Sequence, residues 1–406
     1  MNLFRFAVRN LQRNRRRTLA TAVAIAMGVA ALVFARGWVD GVTQAIRAYA
    51  TDSRLGALQI HPAGYAKVTD LLPVNLHLSQ PAALIDHVRG TPGVAAVTQR
   101  IHFAGSLSNG EQDTLVLATA IDPQGEALVC PSFLTADLRD GRLLTNEDTD
   151  AIVVGTELAA GLHLTPGSQV TVEARTVSGQ VNAIDVAVVG VASSSLPDEG
   201  KWLVVMPLAT ARHLVGMDQD EGTTALVVRL HDLDRASEIA QTLEGTLGSS
   251  VEVRSWRQVG AYFDQAIKTF SKAQGLLLII VGLLALLVVA NTQMLSASER
   301  TREIGTLTAL GAPRKFVRRM FLLESLLLGV FASILGAALG AIVCLATAKA
   351  GIPFKPPNQP VILVKPVASA GTAVVGAIVA MGVAVVGALI PSWIAARKQP
   401  IEALKR

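Results

Sequence analysis

Residues 273–298 read AQGLLLIIVGLLALLVVANTQMLSAS, 26 residues without a single charge. A helix rises 1.5 Å per residue, so roughly 17–25 apolar residues cross a bilayer core about 30 Å thick, and this stretch is long enough. Three further uncharged apolar runs occupy residues 18–35, 325–348 and 366–396. The first is barely long enough, and the last must tilt, kink at Pro391 or extend beyond the lipid. The chain therefore reads as an α-helical membrane protein with four transmembrane helices. A large α+β extracytoplasmic domain is inserted between helices 1 and 2.

The charge divides along the same lines. The net charge is +5, yet residues 40–271 hold 27 acidic against 15 basic side chains, and everything outside them is net +17. The basic excess is a membrane-flank signal, which removes a nucleic-acid reading. Short cytoplasmic segments carry the excess of Lys and Arg. Arg13, Arg15, Arg16 and Arg17 precede the first run. Arg300, Arg302, Arg314, Lys315, Arg318 and Arg319 fill the connector between runs two and three. Arg397, Lys398, Lys405 and Arg406 close the chain. These three segments are assigned to the cytoplasm, and the acidic domain and residues 349–366 to the outside, although Lys349, Lys355 and Lys365 run mildly against the rule. The expected location is the bacterial inner membrane, multi-pass, with a periplasmic domain.

The expected organisation is a cytoplasmic amphipathic segment 1–17, helices at 18–37, 273–298, 321–348 and 367–396, an outer domain at 38–272, cytoplasmic residues 299–320, an outer loop at 349–366 and a tail at 397–406. Leu3, Phe6, Ala7 and Leu11 share a helical face that suits an interfacial helix, or a simple basic anchor. The first run is too long, and too poor in a small-residue cleavage site, to be only a secretory signal. With two cysteines, Cys130 and Cys344, no disulfide framework exists.

Within the outer domain, β-rich runs predict strands at 114–120, 169–172, 183–191, 203–206, 224–230 and 251–253. Helical patterns fall at 80–89, 157–162, 208–215 and 235–247. A domain in two lobes is expected, and residues 262–272 predict a helical stalk leading into the second membrane run. All seven histidines lie in this domain at spacings that fit no metal site. No G-x-S-x-G elbow or phosphate-binding G-x-x-x-x-G-K-[ST] loop occurs, so a membrane-anchored hydrolase lacks its local sign.

The inner connector, residues 298–319, reads SERTREIGTLTALGAPRKFVRR. Glu299, Arg302 and Glu303 stand at helical neighbour spacings, and Ile304, Leu307 and Leu310 make an apolar stripe. Gly311 and Pro313 end the segment. Such a helix fixed between two membrane spans can press on a cytosolic partner, or lie in the interface without one.

The stretch Glu299-Arg300-Thr301-Arg302-Glu303-Ile304-Gly305, with Ala309-Leu310-Gly311-Ala312, resembles the signature of the MacB/FtsX superfamily of ABC transporter permeases. The resemblance extends to Ala7-Val8-Arg9-Asn10-Leu11, to Pro391-Ser392-Trp393-Ile394-Ala395-Ala396-Arg397 and, more loosely, to residues 153–172. Trp256 before the stalk is similar to the lipoprotein-releasing branch. The resemblance implies a dimeric permease, with a second copy or a related permease, on two copies of a separate cytosolic ABC ATPase. It implies no cofactor in this chain, because ATP and Mg bind the partner. It places the ATPase-coupling residues at Glu299, Arg300, Arg302, Glu303, Ile304, Gly305, Leu307, Leu310 and Gly311. The expected function is a non-catalytic subunit for lipoprotein release or for export of a hydrophobic or peptide substrate, with a periplasmic adaptor or lipoprotein carrier as a further partner. The alternative is an FtsX-like device regulating an outer enzyme. A receptor that senses without ATP leaves the segment 299–312 unexplained.

Three positions inside the runs stand out. Gly336 and Gly340 form a G-x-x-x-G pair that permits close helix approach, within one subunit or between two. Glu324 either faces a bundle interior, where carboxylates carry function, or lies solvated among headgroups. Asn291 and Gln293, at the inner end of run two, read as interface anchors.

Overall fold

The computed structural model describes residue 9 and residues 15–67, 72–133, 135, 138–194, 199–217, 222–299, 306, 312–354 and 362–397. Two compact units divide the chain, one of residues 46–266 with 354–362 and one of the remainder. The division falls inside two long helices, the first being α1 (Arg15–Ala50).

The inserted unit is built on a ten-stranded sheet. In chain order it runs β1 (Leu58–Pro62), α2 (Pro81–Arg89), β2 (Val94–Ser108), β3 (Asp113–Ile121), α3 (Pro123–Val129), β4 (Leu138–Gly141), β5 (Ala151–Gly155) and α4 (Thr156–Gly161). Then come β6 (Gln169–Arg175), β7 (Val181–Ala192), β8 (Leu203–Pro207), α5 (Leu208–Val215), β9 (Ala225–Leu230), α6 (Ala236–Leu247), β10 (Val251–Ser255) and the single turn α7 (Trp256–Val259). The strand order is β10-β1-β9-β2-β3-β8-β5-β7-β4, and β6 bridges β2 and β7. Pairing is antiparallel except for β3 with β8 and β5 with β7. The 15-residue β2 changes partner along its length: residues 94–100 pair with β9, and residues 105–108 pair with β6.

The sheet is covered on both faces. Ile152, Val154, Val204 and Met206 join one buried cluster with Phe103, Leu107 and Leu214. Val153, Leu203 and Val205 join a second with Ile121, Phe133 and Val227. Alternation along a strand sends neighbours to opposite faces, so β5 and β8 are buried on both sides and read as continuous apolar runs. The two expected lobes are therefore two cores of one sheet. Short helices start where local chemistry allows. Asp122 caps α3 by accepting from Gln124 N (3.3 Å) and Gly125 N (3.2 Å), with Pro123 at the first helical position.

The remaining helices are α8 (Ala261–Glu299), α9 (Arg314–Ala350) and α10 (Ala370–Arg397). With α1 these are four helices long and apolar enough to cross a membrane. Two short paired strands, β11 (Ile352–Phe354) and β12 (Ile362–Val364), lie between α9 and α10, where the composition suggested only a loop. Helix α1 continues to Ala50, well past its apolar run, because Val42, Ile46 and Ala50 keep a buried face at four-residue spacing. Helix α10 runs through Pro391. The amphipathic face at residues 2–8, Leu11 and the tail 398–406 lie outside the described residues.

Candidate functional site: helix roots and helix packing

Of the coupling residues, Glu299 is the last residue of α8 and is exposed. Arg300, Arg302, Glu303, Ile304, Gly305, Leu307, Leu310 and Gly311 lie outside the described residues; Thr306 between them is helical and exposed.

Within the membrane unit, Ala22, Ile25, Ala26, Val29 and Val33 form one stripe of α1 buried with Val289 of α8 and Leu328 and Ala332 of α9. Gly336 and Gly340 face that stripe. A Cβ on Gly336 would lie 2.4 Å from Ala26 O and 2.6 Å from Val29 Cβ, and one on Gly340 would lie 2.8 Å from Val33 Cβ. The approach is thus α9 on α1 within one chain, and backbone stands where a side chain would be. Glu324 is 6% exposed and makes a polar contact, so it is packed against protein. Gln293 is likewise buried, whereas Asn291 is exposed.

The inserted unit holds an arrangement that sequence reasoning missed. Helix α1 ends in a π-turn at Thr51–Leu55, which Gly56 N closes by donating to Thr51 O (3.1 Å), while Ser132 N donates to Asp52 O (2.9 Å). Side chains from strand β2 and from the end of α3 also reach the carbonyls of this turn. Arg100 Nη1 donates to Arg54 O (2.6 Å), and the Cys130 thiol donates to Thr51 O (3.3 Å). Arg100 is 2% exposed and its Nε donates to Glu126 Oε2 (3.0 Å), with a second contact from Nη2 to Oε1. Burial lowers the Arg100 pKa, and the Glu126 carboxylate and Cys130 raise it by more, so the guanidinium stays charged. A cation at a helix C-terminus is the favourable sign for the helix dipole. Phe133 lies beneath both guanidiniums, 5.2 Å from that of Arg100 and 5.7 Å from that of Arg54. Arg54 pairs with Glu199, and Arg229 with Asp52 (3.1 Å).

The second root lies beside the first. Strand β1, which follows α1, pairs antiparallel with β10, which precedes α8, with Leu58 opposite Ser255. Trp256 is buried and its backbone N–H donates to Ala57 O (3.0 Å). Phe263, 1% exposed, packs edge-on against Tyr49 with ring centroids 6.5 Å apart. Gly56 takes φ +62°, and a Cβ there would lie 2.4 Å from Val227 Cγ1, so only glycine makes this corner. Arg100 and Glu126 carry no motif; an Arg in the middle of a β-rich run was the one available signal.

Two family models match the chain. The MacB-like periplasmic core domain matches residues 18–246, and the FtsX-like permease C-terminal region matches residues 275–400. The lipoprotein-releasing system transmembrane protein LolC of Xylella fastidiosa is 24% identical over 403 residues, covering 96% of this chain and 93% of that protein. The macrolide export ATP-binding/permease protein MacB of Nitrobacter winogradskyi is 30% identical over 213 residues; the match covers 50% of this chain and 30% of that relative. Among solved structures, the periplasmic region of MacB from Actinobacillus actinomycetemcomitans aligns with 53% of this chain and 94% of its own, at 13% identity and a TM-score of 0.36.

Proposed function

This chain belongs to the FtsX-like permease family with a MacB-like periplasmic core domain, an ABC transporter permease, and from that premise we propose how it works. It is the non-catalytic membrane subunit that couples ATP hydrolysis by a separate cytosolic ATPase to movement of the inserted domain. Both termini and residues 299–320 face the cytoplasm, and residues 38–272 face the periplasm, as the arginine clusters favour. Two permease chains, identical or related, work with two ATPase copies that bind ATP and Mg. The cargo is a lipoprotein, or another hydrophobic or peptide substrate passed to a periplasmic carrier or adaptor. The LolC relative, matched along 93% of its length, supports lipoprotein release first.

The observation that carries the reading is the double root. Helices α1 and α8 enter adjacent paired strands, β1 and β10, through buried side chains, so the domain is held as an arm at two points. A domain that served only as a tethered binder needs one attachment. The test is Glu303→Arg in the chain purified with its ATPase. Loss of roughly fivefold or more in cargo-stimulated ATP hydrolysis, with membrane insertion intact, is expected if this segment is an interface hot spot. Unchanged ATPase recruitment together with unchanged stimulation would remove the coupling role.

A further inference from the structure

The membrane unit contains an apolar groove whose mouth carries both signs of charge. Leu32 of α1, Leu278 of α8 and Val375 and Val379 of α10 line a cavity of ≈ 360 Å³, at the lower end of the usual volume for small-molecule sites. Arg36 of α1 and Gly371 of α10 line it as well. Val375 and Val379 are 61% and 46% exposed within the chain, so the groove is open along its side. In a bilayer such a groove is filled by hydrocarbon.

Polar groups at one end make the site selective. Arg36 Nε donates to Asp40 Oδ2 (3.2 Å), and its Nη2 stands 3.2 Å from Oδ1 of the same carboxylate. Its Nη1 donates to Gln274 Oε1 (3.4 Å), and Gln274 Nε2 donates to Ala35 O (3.2 Å), fixing α8 to α1 at this level. A guanidinium has five N–H donors, so one remains on each Nη. The Arg36 side chain is 51% exposed and that of Asp40 30% exposed. A cation with two spare donors and a carboxylate with spare lone pairs thus stand one helical turn apart over an apolar slot.

We propose that this groove is a binding site for a zwitterionic phospholipid, with one acyl chain in the slot, the phosphate on Arg36 and the primary ammonium on Asp40. Phosphatidylethanolamine fits this chemistry. Phosphatidylglycerol has no cation for Asp40, and the choline trimethylammonium has no N–H to donate. Glycine at 371 keeps the slot clear, since a Cβ there would meet nothing nearer than Ser369 Oγ at 3.4 Å.

The experiment is native mass spectrometry of the full-length permease in detergent, titrated with phosphatidylethanolamine, phosphatidylglycerol and phosphatidylcholine of identical dioleoyl chains. Phosphatidylethanolamine is expected to be retained about two- to fivefold better than either competitor, the range that one partly exposed ion pair supplies. Asp40→Asn is expected to bring the three lipids to parity. Gly371→Leu, which has room to fold, is expected to reduce retention of all three. Equal or better retention of phosphatidylglycerol, an unchanged preference in Asp40→Asn, or undiminished retention in Gly371→Leu overturns the assignment. So does displacement of phosphatidylethanolamine by an equimolar triacylated lipopeptide, which would make the groove a cargo site.

Discussion

Replacing Glu126 by Leu leaves the Arg100 guanidinium inside the sheet with two weaker partners, Arg54 O and the Cys130 sulfur. The carboxylate it loses is 3% exposed and the guanidinium 2% exposed, so water cannot substitute for it without opening the core. Removing one partner of a buried ion pair costs about 3–5 kcal/mol, against a few tenths for an exposed pair. For a domain of this size 1 kcal/mol shifts the midpoint by about 2–4 °C, so the midpoint should fall by about 6–20 °C. Thermal unfolding of the full-length protein in detergent, followed by tryptophan fluorescence through buried Trp256, measures it. The double variant Arg100→Met with Glu126→Leu separates two roles. It removes the stranded charge and recovers most of the loss, because a hydrophobic pair of similar volume is often neutral or better. A deficit of about 1 kcal/mol should persist, from the carbonyl of Arg54 left without its donor. Raising the salt to 1 M should leave the single variant's deficit unchanged, since buried pairs are screened little. A midpoint shift below about 2 °C in Glu126→Leu would refute the reasoning, because it would mean that the pair is solvated.

Three other outcomes follow from the same geometry. His61 is held at about 4 by burial, with the Arg254 charge adding to it and the Thr224 carbonyl opposing. Its folded value is depressed, so the stabilisation is present above the unfolded value of about 6.5 and is lost as pH falls toward 4; acid unfolding curves should show a loss on the order of 3 kcal/mol that His61→Gln flattens. Gly340→Val should cost about 1–3 kcal/mol of bundle stability, read as a lowered midpoint, because α9 must move off Ala30 and Val33. Cysteine placed at Glu111, an exposed turn position between β2 and β3, should react with an impermeant maleimide in spheroplasts, and the native thiols should stay silent, since Cys130 and Cys344 are buried. Labelling at position 111 only after the membrane is broken would invert the topology.

The four membrane helices were legible because lipid imposes a length and forbids charge, and both are visible in one dimension. Strands β3, β7 and β9 were legible because β-branched residues recur along them. Strand β5 reads AIVVG, which is consistent with a strand but as short apolar composition does not distinguish it from a piece of helix. Strand β2 hid for a different reason: Thr98 and Arg100 are buried within it, and a buried arginine reads as a surface residue until Glu126, 26 positions later, is known to meet it. The glycine pair was visible as a spacing, but its partner α1 was not, since nothing local selects one helix over a second copy. The roots were the least legible feature, because they depend on β1 meeting β10 across nearly two hundred residues of chain.

That pairing decides what kind of motion the domain can follow. Neighbouring strands stand about 4.8 Å apart and are held by a hydrogen-bond ladder. The β1–β10 register extends over five opposed positions, from Leu58 with Ser255 to Pro62 with Val251. Sliding α1 along α8 at their roots would break that ladder or slip it by whole residues, and a one-residue slip would turn every side chain of β10 to the wrong face. Shear at the roots is therefore closed off. Each root turns at a closely packed glycine, Gly56 after α1 and Gly260 before α8. A Cβ at Gly260 would sit 2.4 Å from Leu55 Cδ1, which places that corner directly against the end of the first root. On the proposed coupling mechanism, the two roots would pass movement into the sheet together. Gly260→Ala, whose Cβ would press on Leu55 Cδ1 and the Trp256 carbonyl, should cost about 1–3 kcal/mol, read as a lowered thermal midpoint; an unchanged midpoint would mean that the two roots are not packed together at this corner.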